Sequence, residues 1–104
     1  MTIQLNAGKN LSVHESFGDK LNDLLEEELS RFSEYITRIE VHLSDENGGK
    51  EGQNNKRCLL EARLEGRQPI AVTANADTNE QAVADAIDKL KSSLDTILGR
   101  LRNY

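Results

Sequence analysis

The chain has 104 residues, 37% hydrophobic and 30% charged, with a net charge of −5 and one cysteine. That length suits one domain with a modest core, and the composition excludes a disordered chain. No apolar run nears the roughly 18 residues needed to span a bilayer, and an acidic surface repels phosphate backbones unless a basic patch forms locally.

MTIQLNAGKN has neither the basic start nor the apolar block of a signal peptide. With a lone cysteine, this leads us to expect a cytoplasmic protein with no membrane association. Within that opening, Ile3 and Leu5 alternate with Thr2, Gln4 and Asn6, which predicts a short strand with one buried face. Ser12 followed by Glu15 reads as a capping box at the start of a helix. Phe17, Leu21, Leu24, Leu25, Leu29 and Phe32 then recur at helical spacing, extending the helix to about residue 34. Gly18 weakens it by roughly 1 kcal/mol relative to alanine. Glu28 in LLEEELSRF projects onto the middle of the apolar face of a regular helix. Either its side chain snorkels to water or a π-type bulge absorbs one residue.

In TRIEVHLS, Ile39, Val41 and Leu43 alternate with Arg38, Glu40 and His42, predicting a second strand. Residues 45–56, DENGGKEGQNNK, have nothing to bury and are expected to form a flexible loop. RCLLEARLEG supplies a third strand with Cys58, Leu60, Ala62 and Leu64 on one side. The turn Gly66-Arg67-Gln68 leads to PIAVTANA, a fourth strand with Ile70, Val72 and Ala74 inward. Pro69 takes its first position, where a missing N–H is tolerated. A second capping box, Thr78 to Gln81, opens the last helix. Its stripe is Ala82, Val83, Ala86, Ile87, Leu90, Leu94, Ile97, Leu98 and Leu101.

The order β-α-β-β-β-α predicts an α+β fold. Strands one and two run parallel through a crossover, and strands two to four form an antiparallel meander. Each strand has one apolar face, so both helices cover the same side of a four-stranded sheet. Residues 1–104 read as a single domain.

Catalytic chemistry finds little footing. His14 and His42 have no metal-like spacing, and Cys58 alternates with core residues as an inert thiol would. GGKEG lacks both the strand–helix setting and the Lys-Ser/Thr ending of a phosphate loop. The carboxylates lie along helix faces rather than converging on a pocket. No enzyme activity, cofactor, metal or small-molecule substrate is expected.

Particular segments resemble one family. KNLSVHESF is similar to its connection between first strand and first helix, and LSRFSEYITRIEVHLS to its helix end and second strand. LLEARLEGRQPIAVTANAD and AIDKLKSSL look like its strand hairpin and its last helix. The chain resembles the bacterial ribosome hibernation-promoting factors and ribosome-associated inhibitor A, also called sigma-54 modulation proteins, in their short single-domain form. The resemblance implies a fold like a double-stranded-RNA-binding domain with an added first strand. It also implies binding to the small ribosomal subunit and its rRNA, so that translation is inhibited or ribosomes hibernate under stress or in stationary phase. By the same resemblance, a line of cations on the two helices would face rRNA phosphates. Here those are Lys89, Lys91, Arg100 and Arg102, with Lys20 and Arg31.

The chain departs from that pattern in charge. Ser92 and Thr96 stand where basic residues are usual, and Asp85, Asp88 and Asp95 share the outward face. The first helix sets seven acids (Glu15, Asp19, Asp23, Glu26, Glu27, Glu28, Glu34) against Lys20 and Arg31. Each lost phosphate contact weakens binding and lowers its salt dependence. An alternative expectation follows: a diverged member that acts as a protein-interaction module through its acidic helix or bare outer sheet face, without binding rRNA. Leu59 and Ala71 would lie on that outer face.

Overall fold

The computed structural model describes residues 1–7, 15–45 and 56–102, with side chains for 1–6, 17–45 and 56–99. Its elements are β1 (Thr2–Ala7), α1 (Glu15–Glu28), a 3₁₀ turn (Ser30–Phe32), β2 (Ile36–Asp45), β3 (Lys56–Leu64), β4 (Ile70–Ala76) and α2 (Asn79–Arg102). The strands form one sheet in the order β1-β2-β3-β4. β1 pairs parallel with β2, in register from Thr2 opposite Arg38 to Ala7 opposite Leu43. β2–β3 and β3–β4 pair antiparallel. The element order and topology are those the hydrophobic periods predict.

Both helices cover one face of the sheet. Ile39, Val41 and Leu43 of β2 and Cys58, Leu60 and Ala62 of β3 meet Leu21 and Leu25 of α1 and Val83, Ile87, Leu90 and Leu94 of α2 in a single core. These side chains are at most 3% exposed. The period of two in the strands and 3.6 in the helices therefore turns every apolar stripe toward the same layer. Ile3 and Leu5 pack on its margin, only partly buried, because β1 is an edge strand.

Several boundaries differ from the sequence reading. The first α-helix stops at Glu28 rather than near residue 34. Leu29 leaves helical geometry at φ −107°, ψ 12°. The chain then tightens, with Phe32 N–H donating to the Leu29 carbonyl at 3.0 Å and Tyr35 N–H to the Phe32 carbonyl at 2.9 Å. These i→i+3 bonds keep Leu29 and Phe32 in the core while the chain turns into β2. No bulge is needed at Glu28. It snorkels, and its carboxylate lies 3.5 Å from the Lys91 ammonium with 39% of the side chain exposed.

The expected loop is also shorter. Asp45 ends β2 and Lys56 begins β3, and the two are register partners. The Lys56 ammonium donates to Asp45 Oδ2 at 2.8 Å, with the Asp45 side chain only 1% exposed. That pair closes the hairpin stem; residues 46–55 of the predicted loop lie outside the described residues.

At the start of α2, Gln81 N–H donates to Thr78 Oγ1 at 3.1 Å, half of the predicted capping box. The other half is absent, because the Gln81 amide donates to Asp85 Oδ1 at 2.8 Å instead. The Ser12 capping box lies outside the described residues. In the β3–β4 turn, Gly66 has φ +69°, a left-handed conformation that a side chain disfavours.

Candidate nucleic-acid interface

The two helices lie side by side and run in the same direction. Phe17, Lys20, Leu21 and Leu24 of α1 line a common groove with Glu80 and Val83 of α2. Farther along, Glu28 meets Lys91, and Arg31 meets Asp95 at 2.9 Å. Advancing along α1 thus means advancing along α2. This follows from the parallel crossover, which brings α1 over the sheet in the orientation that α2 adopts after β4.

The seam between the helices is an alternation of charge. The Arg31 guanidinium is held by Asp95 and stacks 4.5 Å from the centre of the Phe32 ring. Lys91 is held by Glu28. Lys20 lines the groove near Glu80. Lys89 points the other way, to the sheet edge, where its ammonium donates to the Thr73 carbonyl of β4 at 2.8 Å. Arg100 and Arg102 stand on the last turn of α2, and their side chains lie outside the described ones. Of the six sequence-predicted cations, the four with described side chains therefore lie in the groove, on the seam and at the β4 edge, while Arg100 and Arg102 stand at the helix end. Arg31 and Lys91 are more than a quarter exposed (57% and 30% for the side chains), so water screens both pairs, and exchanging a carboxylate for a phosphate costs about 0–1 kcal/mol.

A second cationic group sits on the opposite face of the sheet, and sequence reading passed over it. Arg38 of β2 and Arg63 of β3 are directly opposite in register. Glu40 lies beneath them, its side chain 16% exposed, with Oε2 at 3.7 Å from Arg38 Nε and 3.2 Å from Arg63 Nε. His42 Nε2 approaches the other Glu40 oxygen at 3.7 Å, and Glu61 adds a contact to Arg63 Nε at 3.3 Å. Like charges placed directly opposite cost roughly 0.2–1 kcal/mol, which Glu40 offsets. The signal was present as the polar half of TRIEVHLS and of RCLLEARL, but pairing those halves requires the β2–β3 register.

Chemically reactive groups do not gather at either face among the described residues. Cys58 is fully buried between them, and burial pushes its thiol from 9.0 up to about 12, so it stays protonated. A cleft of about 480 Å³ between β1 and α1 is lined by Ile3, Leu5, Gly18, Asp19, Leu21, Asn22 and Asp23, a set with no nucleophile–base pair. What the described surface offers is ion pairing and apolar contact.

A parallel βαβ crossover, a three-strand meander and two parallel helices on one sheet face define a β-α-β-β-β-α fold of the α+β class. Residues 7–102 match the model of the sigma 54 modulation protein / S30EA ribosomal protein family, and the chain belongs to that family. Its fold is similar to the N-terminal domain of Protein Y from Thermus thermophilus, at 21% identity and a TM-score of 0.67, covering 93% of this chain and 99% of that one. It is also similar to a ribosomal subunit interface protein from Coxiella burnetii, at 20% identity and a TM-score of 0.70, covering 95% and 99% of the two chains. No curated protein sequence matches the chain at a significant level.

Proposed function

We propose that this domain binds the small ribosomal subunit through its rRNA in the cytoplasm and, as a hibernation-type factor, inhibits translation or stores idle ribosomes under stress or in stationary phase. Membership of the ribosome-associated family over residues 7–102 carries the proposal. The action is binding rather than catalysis: the domain occupies a site that translation needs. The contacts we assign are Lys89, Lys91, Arg100, Arg102, Lys20 and Arg31. Lys20, Arg31 and Lys89 are exposed on the helix side. Lys91 and Arg31 would release Glu28 and Asp95 to meet phosphate. With so many carboxylates nearby, fewer phosphates are neutralised, and binding should be weaker and less steeply salt-dependent than a wholly basic face would give.

Sedimentation of the purified domain with 30S subunits and 70S ribosomes tests this. At low salt the protein should pellet with particles containing the small subunit. Lys89→Glu with Arg100→Glu should reduce the bound fraction about tenfold or more and flatten its dependence on log salt. A wild-type domain left in the supernatant at low salt would sink the reading.

A further inference from the structure

Among the described residues β1 pairs with β2 alone, so the N–H and C=O groups on its outward edge meet no other strand. The opposite edge of the sheet differs, because the Lys89 ammonium donates to the Thr73 carbonyl of β4. Beside the β1 edge lies the cleft of about 480 Å³ between β1 and α1. Ile3 and Leu5, both half-buried, and Leu21 give it an apolar surface. Gly18 leaves room there, since a Cβ on it would come within 3.7 Å of Leu5 Cδ2. The charge in the cleft has one sign. Asp19 and Asp23 line it with Asn22, and no Lys or Arg does. Both aspartates are exposed, and neither forms an ion pair among the described residues. They stand four residues apart on α1, a spacing at which like charges repel. Lys20 lines the groove on the α2 side of the helix instead.

An unpaired strand edge, an apolar surface and two uncompensated carboxylates together fit one kind of ligand. An extended segment added about 4.8 Å from β1 would take up its outward backbone groups and send alternate side chains over the cleft. Apolar side chains in that row would cover Ile3 and Leu5, and Lys or Arg would meet Asp19 and Asp23. A phosphate backbone would be repelled by the same two carboxylates. A second copy joined through β1 is disfavoured as well. Its TIQLNA strand carries no cation, and a two-fold antiparallel seam would bring another Asp19 and Asp23 to the same side of the sheet. We infer that β1 is the docking edge for a basic extended segment of a protein partner, held by backbone pairing and by Asp19 and Asp23. None of the six cations assigned to rRNA lines this cleft, so the docking edge does not depend on the ribosome reading.

Titration of the isotope-labelled domain, followed by its backbone amide resonances, tests the inference. The probe is a synthetic extended peptide with Val and Lys alternating on one side and Thr on the other. A peptide with Glu in place of each Lys serves as the comparison. The Lys peptide should shift Ile3, Leu5 and Asp19 and bind about tenfold tighter than the Glu peptide. Methylating the peptide's backbone nitrogens at alternate residues should abolish binding in one of the two patterns and spare it in the other, as pairing along a single edge requires. Asp19→Lys with Asp23→Lys should reverse the preference, so that the Glu peptide binds about tenfold tighter. Binding of the Glu peptide then also shows that the variant is folded.

Equal binding of the two peptides by the wild type would overturn the inference, and so would tolerance of both methylation patterns. Shifts confined to other surfaces, self-association through β1, or contacts from residues 8–14 to Ile3 and Leu5 with no peptide bound would overturn it too. A domain that binds the peptide but fails to pellet with ribosomes would defeat the ribosome reading and leave the docking edge standing.

Discussion

The two faces of this domain hold their charges in different ways. On the helix side, α1 and the turn after it carry Asp19, Asp23, Glu26, Glu27, Glu28 and Glu34 against Lys20 and Arg31 among the described side chains. On the outer sheet face, Arg38, Arg57, Arg63 and His42 face Glu40 and Glu61. The helix-side pairs are single, solvated and reach across two elements. On the sheet face, Arg38 and Arg63 share the partly buried Glu40 carboxylate, with His42 beside it, all held on a β ladder. The difference teaches that number of cations is a poor guide to an interface. What counts is whether each is committed to a neighbour, and how firmly the backbone fixes that neighbour.

The largest effect is expected in the layer that separates the faces. Cys58 has its thiol raised from 9.0 to about 12 by burial, so the folded state keeps a proton that the unfolded chain releases. Its contribution is intact below pH 9 and is lost as pH rises toward 12, at about 1.4 kcal/mol per pH unit. Urea unfolding of the wild type and of Cys58→Ala across that window should show the steeper decline in the wild type. Equal slopes would mean the thiol titrates freely, and the dry layer would be wetter than its burial implies.

A smaller effect separates the faces directly. Glu40→Gln removes the charge that Arg38, Arg63 and His42 share, and should destabilise the fold by about 1–2 kcal/mol at low ionic strength, less in high salt. Smallest of all is Asp95→Asn on the helix side. It breaks an exposed pair with side chains 57% and 51% accessible and should change stability by no more than about 0.5 kcal/mol. It also frees Arg31, so if that residue meets phosphate, ribosome binding should strengthen. Comparable losses for the two variants would erase the contrast between the faces.

Much of the fold was legible locally. Ile39, Val41 and Leu43 name the inner face of β2 without reference to anything outside the strand, and the stripe from Ala82 to Leu98 names that of α2. The Thr78 cap is legible, since its partner N–H is three residues away. The end of α1 is not, because Leu29 and Phe32 keep helical spacing while the chain tightens to enter β2. Nor is the partner of Gln81, whose amide turns to Asp85 one turn on.

The candidate interface was less legible. Lys91 and Glu28 are separated by 63 positions, and Arg31 and Asp95 by 64. No period or motif links residues so far apart. Their meeting depends on how two helices are rotated and offset on a shared sheet. The opposition of Arg38 and Arg63 likewise depends on the β2–β3 register, which includes an irregularity between Ile36 and Arg38.

The sequence by itself determined the element order, the inward faces and the family, because each is written in short-range patterns of apolar and polar residues that any fold must obey. Only the tertiary structure decided the state of the charges: which cations pair with carboxylates and which reach an edge carbonyl. Hydrophobic burial is set by the periodicity of each element alone, whereas an ion pair exists only once two elements have been brought to within a few ångströms.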